Sequence, residues 1–304
     1  MSKRRLQNSS RKTSRSTTKS TAKLGSRIKA KKAPRPESPS KAFLGLSLSG
    51  GKADRACLAI LEYYPTQKKI FLSRLIDRIK AEELISADLK ITEIVAQYQN
   101  HAENIVFDVP ITLPKCFHCE LKCPGYEVCN ESEMRYMRHL YELDTEKKKP
   151  KKMFTPYTQR CVEAYWTLEE EEKLDIQHAM GANLAPLVAR ARFINRRLKI
   201  PATETLPRLA VWRLGNQLKL NKSQLRSYRN SVGGEEARSV VLSAMAEKLG
   251  IFLYQQDVKI MCHDYHAFEA FICAYTGLLK YLGKTEPRPE GFPKHEKWAE
   301  VPEE

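Results

Sequence analysis

Between Ile105 and Cys129 the chain reads IVFDVPITLPKCFHCELKCPGYEVC, and two kinds of chemistry are crowded into it. An apolar run ends in one carboxylate, Asp108, with prolines close behind. Four cysteines then follow, Cys116, Cys119, Cys123 and Cys129, spaced C-x2-C-x3-C-x5-C. Thiolates so close in sequence can close a tetrahedral shell around Zn²⁺ without help from distant segments, and a closed shell of four makes the metal structural. An iron–sulfur cluster takes the same ligands, and His118 could replace one thiol.

Further acids could join Asp108. Glu204 sits in the segment PATETLP, and Asp264, His266 and Glu269 stand together near the start of an apolar stretch. His266 and Glu269 are three apart and so share a helix face. That face flanks the apolar stripe, which turns both side chains toward a cleft. Two or more carboxylates about Mg²⁺ or Mn²⁺ suit phosphoryl transfer, because the ion takes oxygen ligands, polarises a phosphate and helps make a nucleophile of water. Taken singly, each acid serves as easily as a helix cap or a surface group.

The charge of the chain is uneven. Of the net +16, residues 1–41 carry +13, from 14 Lys or Arg against one acid. This stretch is rich in Ser and Thr and almost without apolar residues, so it cannot bury enough surface to offset chain entropy and is expected to be disordered. A cationic arm, here with Lys3, Arg4, Arg5, Lys31 and Lys32, binds polyphosphate by releasing counterions rather than by reading sequence. An organelle transit peptide is a lesser alternative. A second basic stretch, Arg190, Arg192, Arg196, Arg197 and Lys199, could line a nucleic-acid groove or be a solvated helix face. Trp166 and Trp212 read as core.

Other bulk properties narrow the class. Apolar residues make up 42% of 304, ordinary for a globular protein. No apolar run reaches the roughly 18 residues of a membrane span. Four clustered and four scattered cysteines suit a reducing cytosol better than a disulfide framework.

The elements that must position these groups follow from the hydrophobic pattern. Strands are expected over Ala42–Leu48, Ala56–Tyr64 and Lys69–Leu75, separated by turn residues, as an antiparallel meander. Residues 88–100 have helical spacing. Ile105–Phe107 is continuously apolar, as a central strand is. Helices are expected over Glu131–Leu143, Thr167–Met180, Ala182–Leu198, Arg208–Leu218, Glu235–Leu249 and His266–Leu282, with Gly250 as a stop and Asp264 as a cap. Prolines confine Thr203–Leu206 to a short extended segment, and Ile251–Tyr254 is apolar but of undetermined type.

These motifs, in this order, resemble a family of predicted RNase H-like nucleases of uncharacterised function, related in fold to Holliday-junction resolvases. Gly45-Leu46-Ser47 is similar to an opening strand G-I-D, and Asp108-Val109-Pro110 to D-x-P. Glu204-Thr205-Leu206-Pro207 is similar to E-x-x-P, and His266-Ala267-Phe268-Glu269-Ala270 to H-x-x-D-A. Glu290-Gly291-Phe292 and Trp298-Ala299-Glu300-Val301-Pro302 resemble the family's ending. The resemblance covers residues 42–304. It implies an α/β fold, an RNase H-like mixed sheet flanked by helices, in which the cysteine segment 116–129 and nearby helices are an insertion. It also implies a catalytic divalent ion held by Asp108, Glu204 and Glu269, assisted by His266 and Asp264. Serine replaces the opening acid at Ser47 and removes a charge from that site, Asp54 being near enough in sequence to compensate. Glu269 keeps the charge on a longer arm.

The sequence thus leads to a Mg²⁺- or Mn²⁺-dependent nuclease acting on DNA or RNA. The alternative is a nucleic-acid-binding protein that kept the fold without the chemistry. A small-molecule hydrolase on the same scaffold is a third reading, since fold does not fix function. The expected location is the cytoplasm, with the nucleoid as a place of association.

Overall fold

The computed structural model describes residues 40–50, 55–145, 154–169 and 174–304. Of the basic residues of the N-terminal arm only Lys41 is described, and it opens the first strand and pairs with Glu103; the others, Asp54 and the lysine-rich turn 147–152 lie outside the described residues. So does the question of whether the arm is ordered.

The meander forms as the pattern requires. Strands β1 (Lys41–Leu48), β2 (Ala56–Tyr64) and β3 (Lys69–Ile79) pair antiparallel in sequence order. Helix α1 (Ala87–Ala96), capped by Ser86, then crosses over to β4 (Ala102–Phe107), which returns parallel to β1. β5 (Ala202–Thr205) joins β4 in parallel, and two-residue strands β6 (Ile251–Phe252) and β7 (Ala299–Glu300) close the edges. The sheet has seven strands in the order β6-β3-β2-β1-β4-β5-β7, mixed but mostly parallel. β4 is interior, which explains its unbroken apolar run: both faces are covered.

Helices cover the two faces. On one, α1 and α4 (Ala185–Asn195) pack over Leu44, Leu46, Ile105 and Phe107. On the other lie α5 (Pro207–Gln217), α6 (Lys222–Ser227), α7 (Gly234–Leu249), α8 (Gln255–His263) and α9 (Tyr265–Tyr281), against Phe43, Ala59 and Leu61. A third cluster gathers α2 (Ser132–Thr145), α3 (Cys161–Glu169) and the C-terminal residues Phe292, Trp298 and Val301. Trp166 and Trp212 are buried, as expected of core residues. Among the described residues no helix is long and apolar enough to cross a membrane.

The helix expected over Thr167–Met180 is displaced. α3 starts at Cys161, because the Glu296 carboxylate accepts from the amides of Cys161 (3.0 Å) and Val162 (2.7 Å). A cap supplied from 135 residues away leaves no local signal. Thr167 does not start a helix; its hydroxyl donates to the carbonyl of Glu163 within α3. Leu174–His178 is irregular.

Two glycines allow α9 to lie directly on the sheet. A methyl group at Gly45 of β1 would stand 2.0 Å from the carbonyl oxygen of Ala270 and 2.3 Å from the amide of Ala274. One at Gly277 would stand 2.4 Å from Asn104 Oδ1, and Asn104 of β4 donates to the Gly277 carbonyl at 3.1 Å. At Gly45 the contact is backbone against backbone, and at Gly277 it is the Asn104 side chain against the helix; glycine leaves room for both. They hold the middle and C-terminal part of α9 against β1 and β4, which leaves its N-terminal turn beside the carboxyl ends of these strands.

Candidate functional site

Side chains alternate along a strand, so Phe43, Gly45 and Ser47 of β1 all face α9. The parallel register pairs Leu46 with Phe107, and the next step along each strand reaches Ser47 and Asp108. These two residues therefore meet beneath α9 at the carboxyl ends of adjacent parallel strands, where open α/β sheets place their ligands. Ser47 donates to Asp108 Oδ2 at 2.5 Å, and the Leu48 amide donates to Oδ1 at 3.1 Å.

α9 supplies the rest. Asp264 caps it by accepting from the His266 amide at 2.9 Å. His266 Nδ1 lies 3.0 Å from Ser47 Oγ. One turn on, buried Glu269 receives two donors on Oε1, the Tyr228 hydroxyl at 2.6 Å and the Arg229 guanidinium at 2.5 Å. One ligand atom from each of Asp108, His266 and Glu269 lies within 4.8 Å of the other two. All three open on a cavity of about 210 Å³, shared with Arg208, Arg229 and Tyr265.

Burial raises the Asp108 carboxyl to about 7, and the negative charge of Glu269 adds to the effect, against the hydrogen bonds from Ser47 and Leu48 and the charge of Arg229. Burial pushes the His266 imidazole down, against the charges of Glu269 and Asp264, which favours its neutral form. Burial likewise pushes the Tyr228 hydroxyl up, helped by the Glu269 charge, so it stays a donor.

Ser47 has one hydrogen to give. With Asp108 ionised, that hydrogen goes to Asp108, and His266 must donate from Nδ1 to Ser47 Oγ; its lone pair is then on Nε2 and can bind a cation. With Asp108 protonated the chain of donors can run the other way, and Nε2 carries the hydrogen instead. Ser47 is fully buried, so it acts through these two neighbours and not as a nucleophile.

Two of the four acids expected to converge do not join the trio. Glu204, opposite Phe107 on β5, is turned into the protein: Oε2 accepts from the Ile111 amide at 2.8 Å, and Oε1 pairs with Arg160 at 2.6 Å. Arg160, also buried, binds Glu163 and Thr112, both at 2.8 Å. Glu204 thus fastens the loop after Asp108 to β5 and α3, and burial, opposed by Arg160, raises its carboxyl. Asp264 acts as the helix cap. The physical reason in both cases is competition: a buried guanidinium and an unsatisfied helix amide claim these carboxylates.

Of the middle basic stretch, Arg190 is engaged with Asp88 at 2.8 Å and with the carbonyls of Ser49 and Arg55, and so anchors the β1–β2 connection. Arg192, Arg196, Arg197 and Lys199 are exposed at the end of α4, with Arg197 stacked 4.1 Å over Phe193. The four cysteines all line one cavity of about 750 Å³. They form no group of three sulfurs all within 4.8 Å of one another, so the tight shell expected for a single zinc ion is not drawn together.

Tyr228, Arg229, Arg160, Glu163 and Glu296 carry much of the electrostatics around the site and had no signal in sequence. All but Glu163, which pairs with Arg160 one helix turn before it, act on partners far along the chain.

A family model matches residues 72–294, nearly three quarters of the chain. The chain belongs to DUF429, whose description is a protein of unknown function. The matched span contains Asp108, Glu204, Asp264, His266, Glu269 and the four cysteines, while Ser47 lies before it. Membership in DUF429 assigns no reaction. No curated protein and no solved structure matches the chain.

Proposed function

We propose that this DUF429 member is a divalent-metal-dependent nuclease on an RNase H-like scaffold, with Asp108, His266 and Glu269 as its metal ligands. The observation that carries the reading is the convergence of these three within 4.8 Å in a cavity at the ends of β1 and β4. The strand order, an antiparallel meander continued by parallel β4 and β5, supports the scaffold.

The donor set fits a cation. Asp108 and Glu269 supply oxygens, and the neutral imidazole of His266 offers Nε2. Both donors to Glu269 use Oε1, which leaves Oε2 for the metal. Mg²⁺ and Mn²⁺ both suit such a site, and the imidazole favours Mn²⁺. A bound ion would polarise a phosphate oxygen and acidify a coordinated water. The protein's own part is to hold the ligands. Arg229 and Tyr228 fix the Glu269 carboxylate, Ser47 orients Asp108 and sets the His266 tautomer, and Glu204 ties down the Asp108 loop. Arg208 and Arg229 place guanidiniums in the same cavity, suited to a phosphodiester.

A second reading is a nucleic-acid-binding protein without cleavage. It is favoured by Ser47, which brings no charge, and by the guanidinium of Arg229 standing on Glu269. The separating experiment is cleavage of labelled single- and double-stranded DNA and RNA with Mg²⁺, Mn²⁺ or EDTA, beside Asp108→Asn and Glu269→Gln. Cutting that needs metal and is lost in both variants establishes the nuclease. Retardation of nucleic acid with no cutting, equal with and without divalent ion, establishes the binder.

A further inference from the structure

The connection from Asp108 to Glu131 joins β4 to α2, and its regular structure is one short 3-10 turn, Lys115–His118. Connections this long without structure of their own are uncommon in a folded domain. Phe117, Leu121 and Val128 are exposed, while Val109 and Ile111 are buried and Cys116, Tyr126 and Cys129 pack against the cluster of α2 and α3. Yet it has a definite course. The 3-10 turn carries Cys116 and leads into Cys119. Gly125, at φ +94°, reverses the chain, and the Cys129 amide donates to its carbonyl at 3.0 Å. The result is that Cys116, Cys119, Cys123 and Cys129 face one cavity, together with Lys115 and Lys122.

The spread of the sulfurs favours a polynuclear group over a single metal ion. Four thiolates on one zinc ion at Zn–S about 2.3 Å stand about 3.8 Å apart. Here no three sulfurs lie within 4.8 Å of one another, though all four share one cavity. A polynuclear cluster, with the sulfurs bound to different iron atoms, needs the wider spacing.

We infer that Cys116, Cys119, Cys123 and Cys129 ligate a polynuclear iron–sulfur cluster that cross-links the β4–α2 connection. On binding, each thiol gives up its proton and becomes a thiolate ligand; no disulfide forms and no ligand is oxidised. Lys122 offsets part of the resulting negative charge, while Lys115 pairs with Glu131 of the same cavity at 3.2 Å. The cluster is distinct from the cavity at Asp108, and its presence is read without any nucleic acid, so it stands or falls apart from the nuclease reading.

The test uses the full chain purified anaerobically from iron-supplemented cells. Iron, acid-labile sulfide and zinc are measured per chain, with the visible absorption and the spin-resonance signal after reduction. The expected result is iron with an equal amount of sulfide, about two or about four of each per chain. Cys123→Ser and Cys129→Ser should each lose most of that iron while keeping the circular dichroism of the native chain, and Cys262→Ser should keep the iron. Cys123 is exposed, so its replacement does not itself disturb a core. One zinc per chain without sulfide, no metal at all, or iron undiminished in the Cys119→Ser/Cys123→Ser double variant each overturns the assignment.

Discussion

Ser47 and Asp108 end neighbouring parallel strands and share a 2.5 Å hydrogen bond with serine as donor. The bond stabilises the ionised carboxylate and completes the link to His266. Ser47→Ala should therefore cost about 1.5–3 kcal/mol, the range for a hydrogen bond to a charged group, and weaken Mn²⁺ binding. Ser47→Asp would place a second carboxylate against the first. It should lower the melting temperature without metal and enlarge the stabilisation by Mn²⁺. Melting curves with and without Mn²⁺ check both; an unchanged Mn²⁺ response in both variants removes Ser47 from the site.

Asp108, raised to about 7, must lose its proton to bind a cation. Affinity for Mn²⁺ should rise as pH increases through that value and level off above it, and Asp108→Asn should abolish both the binding and its pH dependence. Calorimetric titration across this range gives the profile. Affinity that is flat with pH contradicts the role of Asp108.

Glu296 supplies a pH dependence of stability away from the metal ligands. Burial raises its carboxyl to about 7 from an ordinary 4.5, opposed by Arg160 and by the two α3 amides. Between those values the folded chain binds more protons than the unfolded chain, so stability is greatest at the acid end and is lost as pH rises through about 7. Glu296→Gln should flatten that slope. Denaturant unfolding at about pH 5 and about pH 8 compares the two, and an equal slope in the variant would exclude Glu296 as the source.

Arg160 and Glu204 form a buried ion pair at 2.6 Å. Arg160→Met should destabilise by about 3–5 kcal/mol, because it strands carboxylates away from water. Glu204→Gln should cost less, since the amide oxygen can still accept from Ile111. If Glu204 positions the loop and is no ligand, Glu204→Gln keeps Mn²⁺ binding within a few fold. Loss of binding as complete as in Asp108→Asn would return Glu204 to the ligand set.

Gly45→Ala should be the most damaging small change near the site. Its methyl group would collide with α9 backbone at 2.0 Å, where no rotamer can relieve it. A loss of about 3 kcal/mol or more is expected, with His266 and Glu269 moved off Asp108. Chemical denaturation and Mn²⁺ titration of one sample should show both effects together.

The pattern of local hydrophobicity was enough for most elements, because each of β1, β2, β3 and β4 carries its own apolar run and α7 its own glycine stop. Residue type and the family resemblance singled out Asp108, Glu204, Asp264, His266 and Glu269, of which Asp108, His266 and Glu269 converge. Local signals failed where distant groups intervene: at the start of α3, capped by Glu296, and at Glu204, claimed by Arg160. α6, α8 and the two-residue edge strands β6 and β7 are too short to leave a period, and only their neighbours hold them.

What the sequence determined by itself is what acts over a few residues: strand and helix periods, the Asp264 cap and the cysteine spacing. Which acids meet, which are neutralised by buried arginines, and how far apart the four sulfurs stand were decided by tertiary structure alone. Charges and hydrogen bonds act through space between residues that the chain order keeps far apart, so their pairing exists only once the sheet and α9 have come together.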